Sequence, residues 1–352
     1  MNKKLNFYAI ISTYIGTAFG AGFVSGQELL QFFLCDTTAG IKGTIIMSVG
    51  VLILSFIVMK GNYYYQTSHY EKLIVGESPI LRKIIVFTFY MFSFGIIIIM
   101  FAGAGALLNS LFGIPNIYGS IIMALIVLTI GLSGPEGIIK SFKLLVPVMF
   151  VIAIITSLMG ITLNADTFSE NIVTVKCQGN NWLFSAILYL TYCYYLMIAV
   201  LTYLGKDARS IKDIAIGSIG SALGLALSSS LIVLAMRHNL GSIVDAELPM
   251  VAVAQNVSPL MGNAYALVLF GGLLSASIGT LYALLNMLEN SSNKYLKNKK
   301  YTVPIMCIIA LLFSNFGFSN LISVVYPIMG YFGIVAIIGV IIQHFRIMKS
   351  HK

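Results

Sequence analysis

Four glycines, Gly16, Gly20, Gly22 and Gly26, stand in one otherwise apolar stretch, and Gln27 and Glu28 follow the last of them directly. Each glycine costs a helix interior about 1 kcal/mol relative to alanine, so four so close together need a reason. One reason is packing, because Gly16 with Gly20 and Gly22 with Gly26 keep the GxxxG spacing that lets membrane helices approach closely. The other is a break in the helix. Gly20-Ala21-Gly22 at mid-span and the polar run Ser25 to Glu28 favour the break. Unwound backbone at membrane depth is tolerated only where it lines a protein-buried or watery cavity. There its free N–H groups can bind an anionic group, and its freed carbonyls a cation.

Glu28 is the acidic residue that this reading places inside a span. A carboxylate there costs several kcal/mol without a partner, which leaves three roles: proton carrier, partner for a solute ammonium, or an outer-gate ion pair with Arg237. The bland alternative is a hydrated carboxylate near the surface. Tyr189, Tyr192 and Tyr195 recur every third residue of a later apolar run, with Tyr194 beside them. Their faces suit an organic cation or a flat apolar side chain, or plain helix packing.

Bond-making chemistry finds no support. The cysteines Cys35, Cys177, Cys193 and Cys307 form no CxxC pair, the four histidines are scattered, and no HExxH or Ser/His/Asp pattern occurs. Cys35 and Cys177 both fall in outer segments and could pair, at a distance that sequence does not fix.

The elements that must position these residues are membrane helices. The chain is 58% hydrophobic and 9% charged, far below the roughly 25% charge of a soluble domain. Its apolar residues come in runs long enough to cross a bilayer. We place helices near 6–34, 39–66, 82–111, 117–133, 142–163, 181–205, 213–236, 260–292, 302–315 and 320–346. The fourth and ninth are short for a span. No cleavable signal peptide is evident, so the first span is expected to be retained.

The net charge of +9 is spread between the apolar runs, which argues for topology signals over nucleic-acid binding. With a cytoplasmic N-terminus, every one of the 21 basic residues except Lys42, Lys176 and Arg237 falls on the inner side, as the positive-inside rule requires. Two outer loops, 164–180 and 237–259, exceed a simple turn. The apolar piece after Pro249 reads as a lid helix or as a surface helix at the lipid interface.

Gly16-Thr-Ala-Phe-Gly-Ala-Gly-Phe-Val-Ser-Gly-Gln-Glu28, with Leu-Leu-Gln-Phe-Phe33 after it, resembles the first helix of the bacterial YkvI-type membrane proteins. These form a branch of the amino acid–polyamine–organocation superfamily, and length and span count agree over nearly the whole chain. The resemblance implies an all-α integral membrane protein with about ten transmembrane helices in the LeuT-type 5+5 inverted repeat, helices 1 and 6 broken. The chain would be one transporter domain, 1–352, with repeats at about 6–163 and 181–346. Ser141-Phe-Lys-Leu-Leu-Val-Pro147 is similar to the start of the fifth helix of more distant sodium-coupled relatives, and Asn286-Met-Leu-Glu289 to the inner end of the eighth.

By the same resemblance, the carbonyls of Gly16 and Phe19 fall where relatives contact sodium, with Ser275 as one hydroxyl ligand. The second hydroxyl position aligns with Ala276, and a one-residue shift brings in Ser277. Phe23 stands where some relatives carry an asparagine for a second sodium. N–H groups of Ala21 and Gly22 fall where a substrate carboxylate binds. The expected solute site therefore comprises Thr17, Ala18, Gly20, Ala21, Gly22, Tyr189, Tyr192 and Tyr195, with Gln27 and Glu28 as gate or ammonium site. Gly16, Phe19, Ser275 and Ser277 form the candidate sodium site.

The expected function is a secondary transporter in the cell membrane, with both termini cytoplasmic. It would move an amino acid or organic amine by alternating access, with Na+ or H+ as coupling ion and no other cofactor. The expected partners are a small solute and the lipid bilayer, not nucleic acid. A receptor that keeps the pocket, or a channel, is the competing class.

Overall fold

Sequence runs of this length and polarity leave the backbone one economical solution, because helices satisfy their own N–H and C=O groups where no water is present. A computed structural model describes residues 4–34, 39–133, 138–163, 178–179, 181–288 and 297–350. Span 1 is three pieces, α1 (Phe7–Ala18), α2 (Ala21–Ser25) and α3 (Gln27–Phe33). Span 2 is α4 (Gly40–Tyr65), followed by a short helix α5 (Tyr70–Val75). Spans 3 to 5 are α6 (Pro79–Phe112), α7 (Asn116–Ser133) and α8 (Ile138–Leu163). Spans 6 and 7 are α9 (Trp182–Asp207) and α10 (Ile211–His238), and two short helices follow, α11 (Leu240–Ile243) and α12 (Pro249–Val257). Spans 8 to 10 are α13 (Pro259–Leu288), α14 (Lys299–Ser314) and α15 (Phe318–Ser350).

Eight of these helices are long and apolar enough to cross a membrane by themselves. Span 1 falls outside that set because it is interrupted, and α14 because it has 16 residues. Cys35, Cys177 and Glu289 lie outside the described residues, and so therefore does any Cys35–Cys177 pairing.

The break in span 1 is sharp. Phe19 turns to ψ 58° and Gly20 is extended at φ −75°, ψ 168°. A second interruption follows at Gly26, left-handed at φ 81°, where a Cβ would also meet Met250 Cγ at 2.8 Å. Only glycine suits that combination.

Span 6 corrects the expectation of a second broken helix. α9 runs unbroken from Trp182 to Asp207. No glycine or proline interrupts it before Gly205, so nothing local favours unwinding. Span 10 closes directly on its backbone instead. A Cβ on Gly330 would sit 2.7 Å from the Leu188 carbonyl oxygen, Gly333 abuts the Thr191 carbonyl, and Thr191 Oγ1 donates to Gly330 O at 2.7 Å.

The helices pair in a pattern repeated between the halves. Span 1 lies on span 7 as span 6 lies on span 2, and span 6 packs closely on span 10. The counterpart of that last contact, span 1 on span 5, is not closed. α1 only brushes α8 (a Cβ on Gly16 would first meet Val146 Cγ1 at 3.8 Å), and a cleft of about 570 Å3 lies between them. α1 is seated instead on α10, where Gly217, Gly220 and Gly224 receive Ile10, Ile11 and Ile15.

Its leading end is tied down. Leu5 N–H donates to Asp207 O and Arg209 N–H to Leu5 O, both at 2.8 Å, and Phe7 N–H donates to Asp213 Oδ1 at 3.1 Å. The face carrying Leu5 also carries Gln66, Lys206 and the α5 region, and we call it the terminal face.

Candidate functional site

At the break, the i to i+4 ladder fails for four consecutive residues. The carbonyls of Gly16, Thr17, Ala18 and Phe19 accept no hydrogen bond, and the N–H groups of Gly20, Ala21, Gly22 and Phe23 donate none, among the described residues; the ladder resumes with Val24 N–H to Gly20 O at 3.1 Å. Unpaired backbone groups in hydrocarbon cost several kcal/mol each, so they call for water or ligand. The cleft reaches the first of these residues, Gly16. Ser12, Thr13 and Thr17 are exposed, Gly16 and Gly20 are half-buried, and a Cβ on Gly20 would meet nothing within 4 Å. Ser12, Thr13 and Gly16 line the cleft opposite Val146, Pro147, Phe150 and Val151. Beyond the break the situation reverses, and every residue from Ala21 to Leu34 is buried.

Glu28 lies in that buried half, only 4% exposed. Tyr189 donates to its Oε2 at 2.9 Å and Tyr192 to its Oε1 at 3.3 Å. The Tyr192 ring stacks on Tyr326 at 4.2 Å and 18°. The carboxylate folds back over Gly22. A Cβ built there would overlap Oε1, lie 2.9 Å from Cδ and stand 3.2 Å from the Tyr326 hydroxyl. Among the described residues Glu28 forms no ion pair. The Arg237 pairing is thereby corrected, since Arg237 sits in the last turn of α10 while the carboxylate turns inward to the phenols.

The remaining expected residues divide. Thr17 Oγ1 bonds back to Thr13 O at 2.8 Å, and Ala18 is half-buried beside it. Ala21 is buried, its Cβ 3.6 Å from where a Cβ on Gly272 would stand. Tyr195 is not part of the cluster: its hydroxyl meets Thr88 Oγ1 at 2.6 Å and donates to Ile85 O at 3.3 Å, towards span 3. Phe19 is buried with its ring against Phe23 at 4.6 Å and Phe150 at 4.8 Å. Ser277 is fully buried and donates to Leu273 O at 2.8 Å, whereas Ser275 is half-buried and its hydroxyl makes no hydrogen bond among the described residues. α1 packs chiefly on α10, and α13 on α6, α12, α8 and α7, so the two halves of the candidate sodium site sit on helices with different principal neighbours.

Opposite the terminal face, span 1 is sealed. Gln27 Nε2 donates to Ser319 Oγ at 2.5 Å, Gln31 Nε2 to Ser319 O at 3.0 Å, and Gln178 Nε2 to Gln31 Oε1 at 3.0 Å. Glu247 ties the α11–α12 connection to the same place. Phe318 N–H, at the start of span 10, donates to its Oε2 at 3.1 Å. α12 buries Met250, Val251, Val253 and Ala254 and covers Gly26, and Tyr265 donates to Val24 O at 2.6 Å. Sequence reasoning missed Tyr326, Ser319 and Tyr265. The one available signal was Tyr326-Pro327 inside an apolar run, where proline removes a helix hydrogen bond.

No protein-family profile matches the chain. It is 28% identical over 339 residues to the membrane protein YkvI of Bacillus subtilis (strain 168), covering 94% of this chain and 93% of that one. It is 24% identical over 321 residues to the protein YyaD of the same organism, covering 90% of each. Among solved structures it is similar to MhsT in complex with L-phenylalanine, with a TM-score of 0.61 at 14% identity over 97% of both chains. It is also similar to an Eremococcus coleocola manganese transporter, with a TM-score of 0.53 at 14% identity over 96% of this chain and 95% of that one. The chain is thus a relative of the YkvI-type membrane proteins, a multi-span membrane protein built on the LeuT-type fold of secondary transporters.

Proposed function

We propose that this protein carries an amino acid or organic amine across the cell membrane by alternating access, with Na+ or H+ as the coupling ion and both termini in the cytoplasm. One observation carries the reading: the broken backbone of span 1 is open to a cleft on one side and sealed on the other. That is the geometry of a site reached from one face at a time. Unpaired N–H and carbonyl groups at the break suit a polar solute, and the buried carboxylate of Glu28 suits an ammonium or a proton. The positive-inside bias supports an inner position for the terminal face and its cleft.

For coupling, the unbonded carbonyls of Gly16 and Phe19 and the unbonded hydroxyl of Ser275 support a sodium ion bound once α1 approaches α13. That no Lys, Arg or His pairs with Glu28 among the described residues supports a proton. An ion can drive the cycle only through different affinity for the two states.

The first test is thermal stability of the purified protein against amino acids and amines, with sodium or potassium as the only cation, followed by uptake into proteoliposomes. A ligand that binds the native state raises Tm by mass action. A sodium-dependent rise together with concentrative uptake is the expected result. Loss of pH dependence in Glu28→Gln would assign coupling to the proton instead. Binding without uptake under any gradient would sink the transporter reading and favour a receptor.

A further inference from the structure

Building on that reading of the break as the solute site, we infer that the solute is an organic amine that carries no carboxylate. The Glu28 carboxylate is held over Gly22, the residue whose N–H is expected, from the resemblance, to meet a solute carboxylate. The chain brings its own anion to that place. Glu28 is buried and accepts from Tyr189 at 2.9 Å and Tyr192 at 3.3 Å. Gly22 leaves room for it, since any Cβ there would overlap Oε1. A second carboxylate from the solute would come within a few ångströms of the first, and the local dielectric is too low to screen the repulsion.

What the cluster lacks is positive charge. No Lys, Arg or His pairs with Glu28 among the described residues, and the groups around it are phenols. A primary ammonium would donate to Glu28 and lie against the Tyr192–Tyr326 stack, where aromatic faces attract cations. The same inventory disfavours a divalent metal. Among the described residues no group of three His, Cys, Asp or Glu side chains gathers, while such ions take six or more oxygens. Entry is along the break, from Gly16 on the cleft wall to Gly20, which has open space where a Cβ would stand and lies two residues from Gly22.

Matched pairs differing only in the carboxylate test this on the full-length protein in detergent: phenethylamine against L-phenylalanine, isoamylamine against L-leucine, cadaverine against L-lysine. At least one amine is expected to raise Tm, with Kd at least tenfold below that of its amino acid, and Glu28→Gln to abolish the shift. An amino acid that binds as well as its amine, or better, overturns the inference and leaves the transporter reading standing. An amine shift that survives in Glu28→Gln overturns it too, because the charge is then not the determinant. The wild-type comparison needs no variant to fold. Proteoliposome uptake separates the two claims: an amine that binds but is never transported sinks the transporter reading alone.

Discussion

At the scale of single residues, a neighbouring pair of glycines with different surroundings offers the clearest experiment. Gly20 is extended at an ordinary negative φ, with open space where a Cβ would go. Gly20→Ala is therefore expected to be neutral or to stabilise by about 0.4–1 kcal/mol, by restricting the unfolded chain. Gly22→Ala must push the Glu28 carboxylate from its seat and is expected to cost about 1–3 kcal/mol as overpacking. Tm of the two variants checks both. Equal behaviour would mean that Glu28 does not rest on Gly22. Glu28, Tyr189 and Tyr192 were legible in the sequence because a carboxylate in an apolar run and tyrosines at helical spacing are local patterns. Tyr326 was not, since it reaches Glu28 from the other end of the chain through a contact that no periodicity encodes.

At the scale of elements, spans were readable because bilayer thickness fixes their length, and the break in span 1 because glycine marks it. Span 6 shows the reverse: family resemblance implied a break, and the unbroken run of side chains before Gly205 decided against it. The seat of α1 on α10 was hidden, as Gly217, Gly220 and Gly224 look like ordinary small residues until Ile10, Ile11 and Ile15 are set against them. Gly217→Val places a Cβ 2.9 Å from Ile10 Cβ, too near the backbone to yield cheaply, and should drive α1 off this seat. A bias of about 1 kcal/mol is a roughly fivefold change in populations. Maleimide labelling of Thr17→Cys is expected to slow by about that factor in the Gly217→Val background.

The short helix α5 makes a separate prediction outside the membrane. Hydrogen bonds from Lys72 at 2.9 Å and from Tyr65 at 2.9 Å hold the Glu77 carboxyl below its usual value of 4.5. That stabilisation is complete above the unfolded value and is lost as pH falls through the lower folded one. Amide protection factors across residues 70–77, with the intrinsic pH dependence of exchange divided out, are expected to fall below about pH 4, the ordinary carboxylate range, and to be flat between about pH 6 and pH 8, where Glu77 stays ionised. Exposure of Glu77 makes the effect small.

At the scale of the whole molecule, the two halves share the pairings of span 1 with span 7 and of span 6 with span 2 and part where span 1 would meet span 5. Span 6 is closed on span 10, while span 1 stands away from span 5. Span 1 therefore borders a cleft along the half that begins at the terminal face and is sealed along the half opposite. In a background lacking the four native cysteines, Thr17→Cys should react with a membrane-impermeant maleimide from the terminal face. Gln31→Cys, buried behind Ser319 and Gln178, should react at least about tenfold more slowly from either side, as local opening by only about 1.4 kcal/mol already sets that factor. Comparable rates would show that the sealed side breathes. Which contact is open was beyond the sequence, because both arrangements use the same helices and the same apolar faces.

The tether of Leu5 to Asp207 and Arg209 sets the leverage of this machine. α1 is a rod pivoting at Gly20, and Leu5 lies about 22 Å along it at 1.5 Å per residue. A swing of about 10° carries Leu5 roughly 4 Å sideways, more than a 2.8 Å backbone hydrogen bond can follow before it fails beyond about 3.5 Å. Closing the cleft by more than a few degrees must then either unfasten the rod at its tip or drag the 207–209 turn, and α10 with it, along the same arc. If the fastening holds, the moving part is not a half-helix but a two-helix arm, and its stroke is set by how far the start of span 7 can travel.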